Sequence, residues 1–143
     1  MVEVRFYDEV DDSLLKFAVI LAKTQGKWVF CKHRKRDTYE IPGGRREAGE
    51  DILATAKREL YEETGALDFD MERVCVYSVV WDGKEEQESF GMLYFAEIRE
   101  FEEELHSEIE KIILTDGTVE DWTYPEIQPK LMEKYETWKG IKG

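Results

Sequence analysis

The alternation of apolar and polar positions predicts a chain built mainly from β-strands. VEVRFY alternates at residues 2–7 and predicts a short edge strand, whereas residues 14–23 are apolar on both faces and predict a central strand. Gln25 and Gly26 mark a turn, so residues 28–32 are expected to pair with residues 14–23 as a hairpin. Further patterns predict strands at residues 39–41, 69–81, 89–99 and 109–115.

Two segments show helical periodicity instead. The first covers residues 51–64 and is followed by Gly65, which suits a left-handed helix cap. The second begins near Pro125 and runs to Lys139, with a frayed tail at residues 140–143. The apolar residues are Ile52, Leu53, Ala56 and Leu60 in the first helix, and Ile127, Leu131, Tyr135 and Trp138 in the second.

The composition indicates a single folded domain spanning residues 1–143. Hydrophobic residues make up 42% of the chain, enough for a buried core at this length. No run of about 18 apolar residues is present, and the acidic N-terminus lacks the apolar region of a signal peptide. We therefore expect a cytoplasmic protein that does not bind membranes. Cys31 and Cys75 lack the spacing of a metal site and are expected to be buried free thiols.

Charge is distributed unevenly along the chain. The net charge of −13 argues against binding of nucleic acid through the overall electrostatic field. Residues 32–46 nonetheless form a basic island with only two acidic residues, Asp37 and Glu40. A basic island beside an acidic helix suits a polyphosphate substrate, but a solvated strand end has the same pattern. The basic residues of the island are Lys32, Arg34, Lys35, Arg36, Arg45 and Arg46.

Three glutamates, Glu59, Glu62 and Glu63, lie at the end of the first predicted helix. At about 100° per residue, Glu62 lies roughly 60° to one side of Glu59 and Glu63 roughly 40° to the other, so the carboxylates share one arc. Like charges at these spacings repel, and at this end they also oppose the helix dipole. A bound cation would relieve both effects, and carboxylate oxygens suit Mg²⁺ or Mn²⁺.

The segment from Gly44 to Ala66 resembles the Nudix box. That pattern consists of G, five residues, E, seven residues and R-E-U-x-E-E-x-G-U, where U is a bulky aliphatic residue. Its fixed positions are filled without a shift in spacing by Gly44, Glu50, Arg58, Glu59, Leu60, Glu62, Glu63 and Gly65. Ala66 departs from the last position, which a larger aliphatic residue usually fills. The resemblance extends to the preceding YEIPGG.

The resemblance implies an α/β/α sandwich with a mixed β-sheet, in which the box forms a loop–helix–loop. It also implies hydrolysis of a nucleoside diphosphate linked to another group, through attack of water on a phosphorus of the pyrophosphate. Mg²⁺ or Mn²⁺ would neutralise charge on the phosphate oxygens in such a reaction.

The resemblance also implies roles for individual residues. The family's metal ligands correspond to the carboxylates of Glu59, Glu62 and Glu63 and to the carbonyl of Gly44. Arg58 corresponds to the arginine that orients the glutamates, and Glu50 to a glutamate that is usually structural. The general base is a box glutamate or a glutamate of a later loop, for which we select Glu108, with Glu104 and Glu110 as alternatives.

Substrate contacts are expected on both sides of the glycine loop. The candidates are Arg34, Arg36, Tyr39, Gly43 and Arg45, because guanidinium and main-chain N–H groups bind phosphates. Aromatic residues available for stacking on a base are Trp28, Tyr39, Phe90, Trp122 and Tyr124, each of which could equally be a packing residue. His33 and His106 have no partner spacing that singles them out.

The predicted function is Mg²⁺-dependent hydrolysis of a nucleoside triphosphate or nucleoside diphosphate derivative by a monomer or homodimer, with an oxidised purine nucleotide among the candidates. Two alternatives stay open. One is a nucleotide-binding regulatory module with weak catalysis, which the presence of all the box glutamates disfavours. The other is a hydrolase of RNA 5′ ends, for which the net charge of −13 disfavours a long RNA footprint but not binding of an end.

Overall fold

A seven-stranded mixed β-sheet forms the centre of the protein in the computed structural model, which describes residues 2–104 and 109–142. The strands are β1 (Val2–Tyr7), β2 (Leu15–Thr24), β3 (Lys27–His33), β4 (Gly43–Arg45), β5 (Ala66–Trp81), β6 (Ser89–Phe101) and β7 (Ile109–Thr115). The helices are α1 (Ile52–Thr64) and α2 (Gln128–Lys142), and single 3₁₀ turns lie at Asp12–Leu14 and Glu85–Gln87.

The strand order is β1-β5-β6-β2-β3-β7, with β4 paired to β2 outside this path. Strands β2 and β6 run parallel, and the other pairs are antiparallel. The predicted edge position of β1, the central position of β2 and the β2–β3 hairpin are therefore confirmed.

Each face of the sheet packs against one helix. On β2, Ile20 belongs to the same buried cluster as Leu60 of α1, whereas its neighbour Leu21 belongs to the cluster that contains Leu131 of α2. Successive strand residues point to opposite faces, so a strand that is apolar throughout can serve both clusters. The predicted α/β/α sandwich is present, and β2 lies between its two helical layers.

The strand predicted at residues 39–41 is wrong. This segment makes only isolated bridges, Cys31 with Glu40 and Tyr39 with Trp122. The backbone N–H of Ile41 donates to the side chain of Gln128 at 2.8 Å rather than to a neighbouring strand. Regular strand pairing begins directly after Pro42, where β4 pairs with β2. The sequence predicts a glycine turn in this segment, so that prediction is replaced by a short strand.

The helix boundaries differ in part from the prediction. Residues 125–127 form a turn before α2, which passes through Gly140, so the predicted tail is helical at residues 140–142. A single glycine lowers the stability of a helix by only about 1 kcal/mol relative to alanine, so Gly140 does not end α2. In α1, Leu53 is 41% exposed and does not belong to the buried stripe formed by Ile52, Ala56 and Leu60.

Cys31 and Cys75 are buried free thiols, as predicted. Within residues 2–104 and 109–142, no helix combines the length and the apolar character needed to cross a membrane.

Candidate active site

Helix α1 begins and ends at well-defined caps, which set the position of its glutamates. The carboxylate of Asp51 accepts a hydrogen bond from the N–H of Ala54 at 2.8 Å. At the other end, Gly65 has a φ of 77°, in the left-handed region, and its N–H donates to the carbonyl of Tyr61. The cap at Gly65 is made as predicted, and Asp51, predicted to begin the helix, is instead its N-cap. The three glutamates occupy the last two turns of α1, and Glu59 and Glu63 face the short strand β4.

Glu59 lies directly against the backbone of Gly44 in β4. A Cβ atom built on Gly44 would lie 1.3 Å from Oε2 of Glu59. Only glycine therefore leaves this carboxylate in its present position, where its side-chain exposure is 14%. The requirement for glycine at this position of the box thus has a steric cause.

Glu63 lies deeper in the structure, with a side-chain exposure of 12%. Its Oε1 accepts a hydrogen bond from the N–H of Gly43 at 2.8 Å, and its Oε2 lies 3.1 Å from Nε2 of His33. The same histidine nitrogen lies 3.6 Å from Oε1 of Glu40. Glu63 is therefore held between β4 and the end of β3.

Arg58 connects the carboxylates of the box. Its guanidinium donates to Glu50 from Nε at 2.7 Å and from Nη2 at 3.0 Å, and to the carbonyl of Arg45 at 3.0 Å. Its Nη1 lies 3.4 Å from Glu59 and 3.3 Å from both oxygens of Glu62. Arg58 lowers the pKa of the Glu50 carboxyl to about 2. This geometry fits the expected positioning role of Arg58 and the structural role of Glu50.

Burial makes the two inner glutamates weak acids in the metal-free protein. It raises the pKa of Glu59 to about 7 despite the opposing effect of Arg58, and the pKa of Glu63 to about 8 despite the Gly43 hydrogen bond. These pKa values include repulsion from neighbouring carboxylates, which is from Glu62 at Glu59 and from Glu59, Glu40 and Glu62 at Glu63. A divalent cation would offset this repulsion, and the donors are the hard oxygens that Mg²⁺ and Mn²⁺ prefer. The residues present therefore fit such a metal.

A softer set of donors lies beside them. Cys31, His33 and Glu63 each place one ligand atom within 4.8 Å of the others. Burial raises the pKa of the Cys31 thiol well above its usual range, and its Sγ contacts the carbonyl of Glu40 at 3.5 Å. The thiol is therefore protonated, which favours the carboxylates as the metal donors.

An open cavity of about 360 Å³ adjoins the carboxylates, and we call it the aromatic cavity. It shares Glu40, Gly43, Gly44 and Arg45 with the neighbourhood of the glutamates. The other lining residues are Phe17, Val19, Ile41, Tyr77, Val79, Trp81, Ser89, Tyr124, Ile127 and Gln128. A ligand with an aromatic part and a charged part could therefore place the first in the cavity and the second at α1.

The structure gathers some of the predicted substrate residues and separates others. Gly43 and Arg45 line the aromatic cavity, although the N–H of Gly43 is already bonded to Glu63. Arg36 lies at its border, donating to Glu40 at 3.0 Å with its guanidinium 6.0 Å from the ring of Tyr124. Arg34 and Tyr39 do not line the cavity, and Tyr39 pairs with Trp122 on the other side of this segment.

Of the aromatic stacking candidates, Tyr124 alone lines the aromatic cavity. Trp28 is 7% exposed and packs edge-on against Tyr135. Phe90 packs against Tyr7, and Trp122 packs edge-on against Phe30. These three side chains therefore serve packing.

The candidates for the general base remain predictions. Glu108 lies outside the described residues. Glu104 is exposed after β6, and Glu110 lies on β7, but its side chain is not described.

Two site residues had no clear signal in the sequence. His33 and Glu40 are seven positions apart, and the loop between them brings both to Glu63. The approach of His33 to Glu40 could have been predicted only if the pairing of Cys31 with Glu40, which closes this loop, had been known. The cavity residues Trp81, Tyr77 and Gln128 also come from distant parts of the chain.

Comparison with protein-family models agrees with this geometry. The NUDIX domain matches residues 13–128, which include α1 and strands β2 to β7 but neither β1 nor most of α2. The chain belongs to the Nudix family. The family and the fold predicted from the box are therefore confirmed.

Individual relatives support this assignment. "Putative 8-oxo-dGTP diphosphatase YtkD" of Bacillus subtilis (strain 168) is 33% identical over 103 residues, which cover 72% of this chain and 63% of that protein, so the match spans less than two thirds of the relative. The pyrophosphohydrolase BsRppH of Bacillus subtilis, solved as a point mutant, superimposes with a TM-score of 0.78 at 25% identity, covering 95% of this chain and 90% of that one. A C. elegans Ap4A hydrolase shares the fold, with a TM-score of 0.67 at 15% identity and coverage of 87% and 98%.

Proposed function

We propose that this Nudix protein hydrolyses a phosphoanhydride bond of a nucleotide, either a nucleoside triphosphate or a nucleoside diphosphate derivative, with Mg²⁺ or Mn²⁺ as cofactor. The proposal rests on the position of the α1 glutamates directly beside the aromatic cavity. The glutamates of α1 lie beside Gly43 and Gly44, and the same glycines form one wall of the aromatic cavity. A nucleotide has the matching two parts, a flat base and a polyphosphate.

In the proposed mechanism, Glu59, Glu62 and Glu63 would hold the metal. A bound metal would supply charge neutralisation at the phosphate oxygens and would make the attacking water more acidic. Arg58 keeps the carboxylates of Glu59 and Glu62 in place from one side, and the N–H of Gly43 holds Glu63 from the other. Their low side-chain exposure limits competition from bulk water at Glu59 and Glu63.

The name of one relative suggests which nucleotides to test first. One relative carries the name of an 8-oxo-dGTP diphosphatase, so we include oxidised purine triphosphates as substrates to be tested first. Arg45 at the cavity rim and Arg36 at its border would contact the phosphates. We further propose that the protein acts in the cytoplasm as a monomer or homodimer.

The experiment is a panel of nucleotides incubated with Mg²⁺, with the products identified by chromatography. We expect release of phosphate or pyrophosphate in the wild type, and a loss of at least about hundredfold in kcat/KM for Glu59→Gln and Glu63→Gln, because each removes an anionic metal donor. Glu103→Gln changes an exposed carboxylate in the same way and should retain full activity. Equal turnover by all four proteins would refute the metal site.

A second candidate is hydrolysis at the 5′ end of RNA. The likeness to the pyrophosphohydrolase BsRppH, at 25% identity and a TM-score of 0.78, supports cleavage of a pyrophosphate bond, which the 5′-triphosphate of an RNA also contains. Cleavage of a short 5′-triphosphorylated RNA in competition with free nucleotides distinguishes the two. If kcat/KM is higher for the RNA than for the free nucleotides, the proposed substrate becomes the RNA 5′ end.

A further inference from the structure

Two buried polar side chains that line the aromatic cavity leave hydrogen-bond donors unused. The cavity is also lined by Glu40, whose carboxylate accepts from Arg36 at 3.0 Å, and by Arg45 and Ser89. Its other side chains are apolar or belong to two half-exposed rings, Trp81 at 49% and Tyr124 at 38% exposure. Buried polar groups normally have a hydrogen-bond partner, so an unused donor that lines a cavity indicates a ligand atom.

Gln128 is the first of these side chains, with an exposure of 5%. Its Oε1 accepts the N–H of Ile41 at 2.8 Å. This bond decides the orientation of the amide, because an N–H donor must face the oxygen and not the NH₂ group. The Nε2 group is then left with two N–H donors, and the part of the chain that the structure describes offers it no acceptor.

Tyr77 is the second, with an exposure of 3%. Its hydroxyl has no hydrogen-bond partner among residues 2–104 and 109–142, although the ring packs against Phe17 at 5.4 Å between centroids. Burial raises the pKa of the phenol, so the hydroxyl keeps its proton and can donate. The cavity therefore presents an N–H and an O–H donor and two exposed aromatic rings.

We propose that the aromatic cavity selects a purine base with a carbonyl group at C6, to which Nε2 of Gln128 and the hydroxyl of Tyr77 donate. This inference rests on the proposed nucleotide substrate and specifies its base. A carbonyl oxygen has two lone pairs and accepts both donors, whereas the amino group of adenine would place further N–H groups against them. A two-ring base also gives Trp81 and Tyr124 a larger face to stack on than a pyrimidine does.

The first test measures binding of inosine 5′-monophosphate and purine riboside 5′-monophosphate by calorimetry. These ligands differ in the C6 oxygen and in the hydrogen that inosine carries on N1, and neither has a phosphoanhydride bond, so turnover does not interfere. The variants below therefore decide whether the C6 oxygen is the group that is recognised. We expect the wild type to bind the inosine nucleotide roughly ten- to hundredfold more tightly, the range for a hydrogen bond whose loss leaves a buried group unpaired. Equal affinities, or no saturable binding of either at millimolar concentration, would overturn the inference.

Variants then test the assigned donors. Gln128→Glu keeps the oxygen that accepts from Ile41 and replaces the donating NH₂, so the affinity ratio of the inosine nucleotide to the purine riboside nucleotide should fall to about one or below. Tyr77→Phe removes only the hydroxyl and should reduce the preference. Tyr135→Phe removes a hydroxyl from a 5% exposed tyrosine outside the cavity and should leave the preference unchanged. An unaltered preference in Gln128→Glu, with a melting temperature near that of the wild type, would contradict the proposal.

The proposed function is tested separately, by turnover of the corresponding triphosphates with Mg²⁺. Hydrolysis without discrimination at C6 would support the function and overturn the base assignment. Selective binding of inosine 5′-monophosphate without hydrolysis of any triphosphate would do the reverse.

Discussion

At the residue scale, the site depends on the close approach of a helix side chain to a strand backbone. Gly44 has no side chain, and Oε2 of Glu59 occupies the space where a Cβ would be, at 1.3 Å. With any other residue at position 44, the carboxylate of Glu59 would have to move from its present position. The steric relation explains why a box of charged residues also requires a glycine fifteen positions away.

Gly44→Ala should therefore remove activity without unfolding the protein. The added methyl group must displace the carboxylate of Glu59, and we expect kcat/KM to fall by about a hundredfold or more. Gly117→Ala is the matched control, because its Cβ would meet nothing within 4 Å. Steady-state kinetics and melting temperatures of both variants check this, and full activity of Gly44→Ala would show that Glu59 does not need its present position.

The sequence predicted these residues because a motif with defined spacing specifies local structure. The α1 caps, the three glutamates on one arc and the bridging arginine lie within one loop and one helix. His33 and Glu40 could not be predicted in the same way. They approach Glu63 only because the loop after β3 folds back on this strand.

At the element scale, α1 depends on its first cap and on the sheet beneath it. Asp51 caps α1 through the N–H of Ala54, and Thr55 and Arg58 both bond Glu50 just before the helix. The loop before α1 and its first two turns therefore form one hydrogen-bonded unit. A change at the start of α1 should lower the stability of the protein more than its catalytic rate, because the glutamates lie at the other end of the helix.

Asp51→Ala should lower the free energy of unfolding by about 1 kcal/mol, the typical value of an N-cap. Asp51→Asn keeps a side-chain oxygen for the same N–H and should lose much less. Denaturant unfolding of the two variants measures the difference. If both lose the same stability, the cap bond does not carry the effect.

The aromatic cavity depends in turn on the packing of β2 against β6. A Cβ on Gly91 of β6 would lie 2.1 Å from ring atoms of Phe17, so Phe17 lies across this glycine while lining the cavity. Gly91→Ala should push the ring into the cavity and raise KM for nucleotides by about tenfold, with a smaller change in kcat. Steady-state kinetics with a nucleotide substrate, and Gly117→Ala as control, test this. An unchanged KM would place the base elsewhere.

At the scale of the whole molecule, burial of acidic groups links stability to pH and metal. Glu59 and Glu63 have pKa values raised from 4.5 to about 7 and about 8. A raised pKa means that the folded state binds the proton more tightly than the unfolded state. The stability contributed in this way is complete below pH 4.5 and is lost as the pH rises through the folded values.

The metal-free protein should therefore lose stability between about pH 4.5 and pH 8, relative to the double variant Glu59→Gln and Glu63→Gln, by several degrees of melting temperature. Added Mg²⁺ should restore the wild type at about pH 8 and leave the double variant unaffected, because metal binds the ionised carboxylates. Thermal denaturation across this range, with and without Mg²⁺, measures both effects. Parallel pH profiles for the two proteins would contradict the raised values.

The sequence by itself determined the local features of this protein. Hydrophobic periodicity predicted six of the seven strands and both helices approximately, and the spacing of the box predicted the site on α1, because both depend on neighbours along the chain. Only the tertiary structure decided that β4 pairs with β2 and that β2 runs parallel to β6. Tyr77 of β5 and Gln128 of α2, which bonds the N–H of Ile41, also meet at one cavity beside the glutamates only in the folded chain. The proposed selection of a substrate base depends on such distant contacts, whose partners no local pattern specifies.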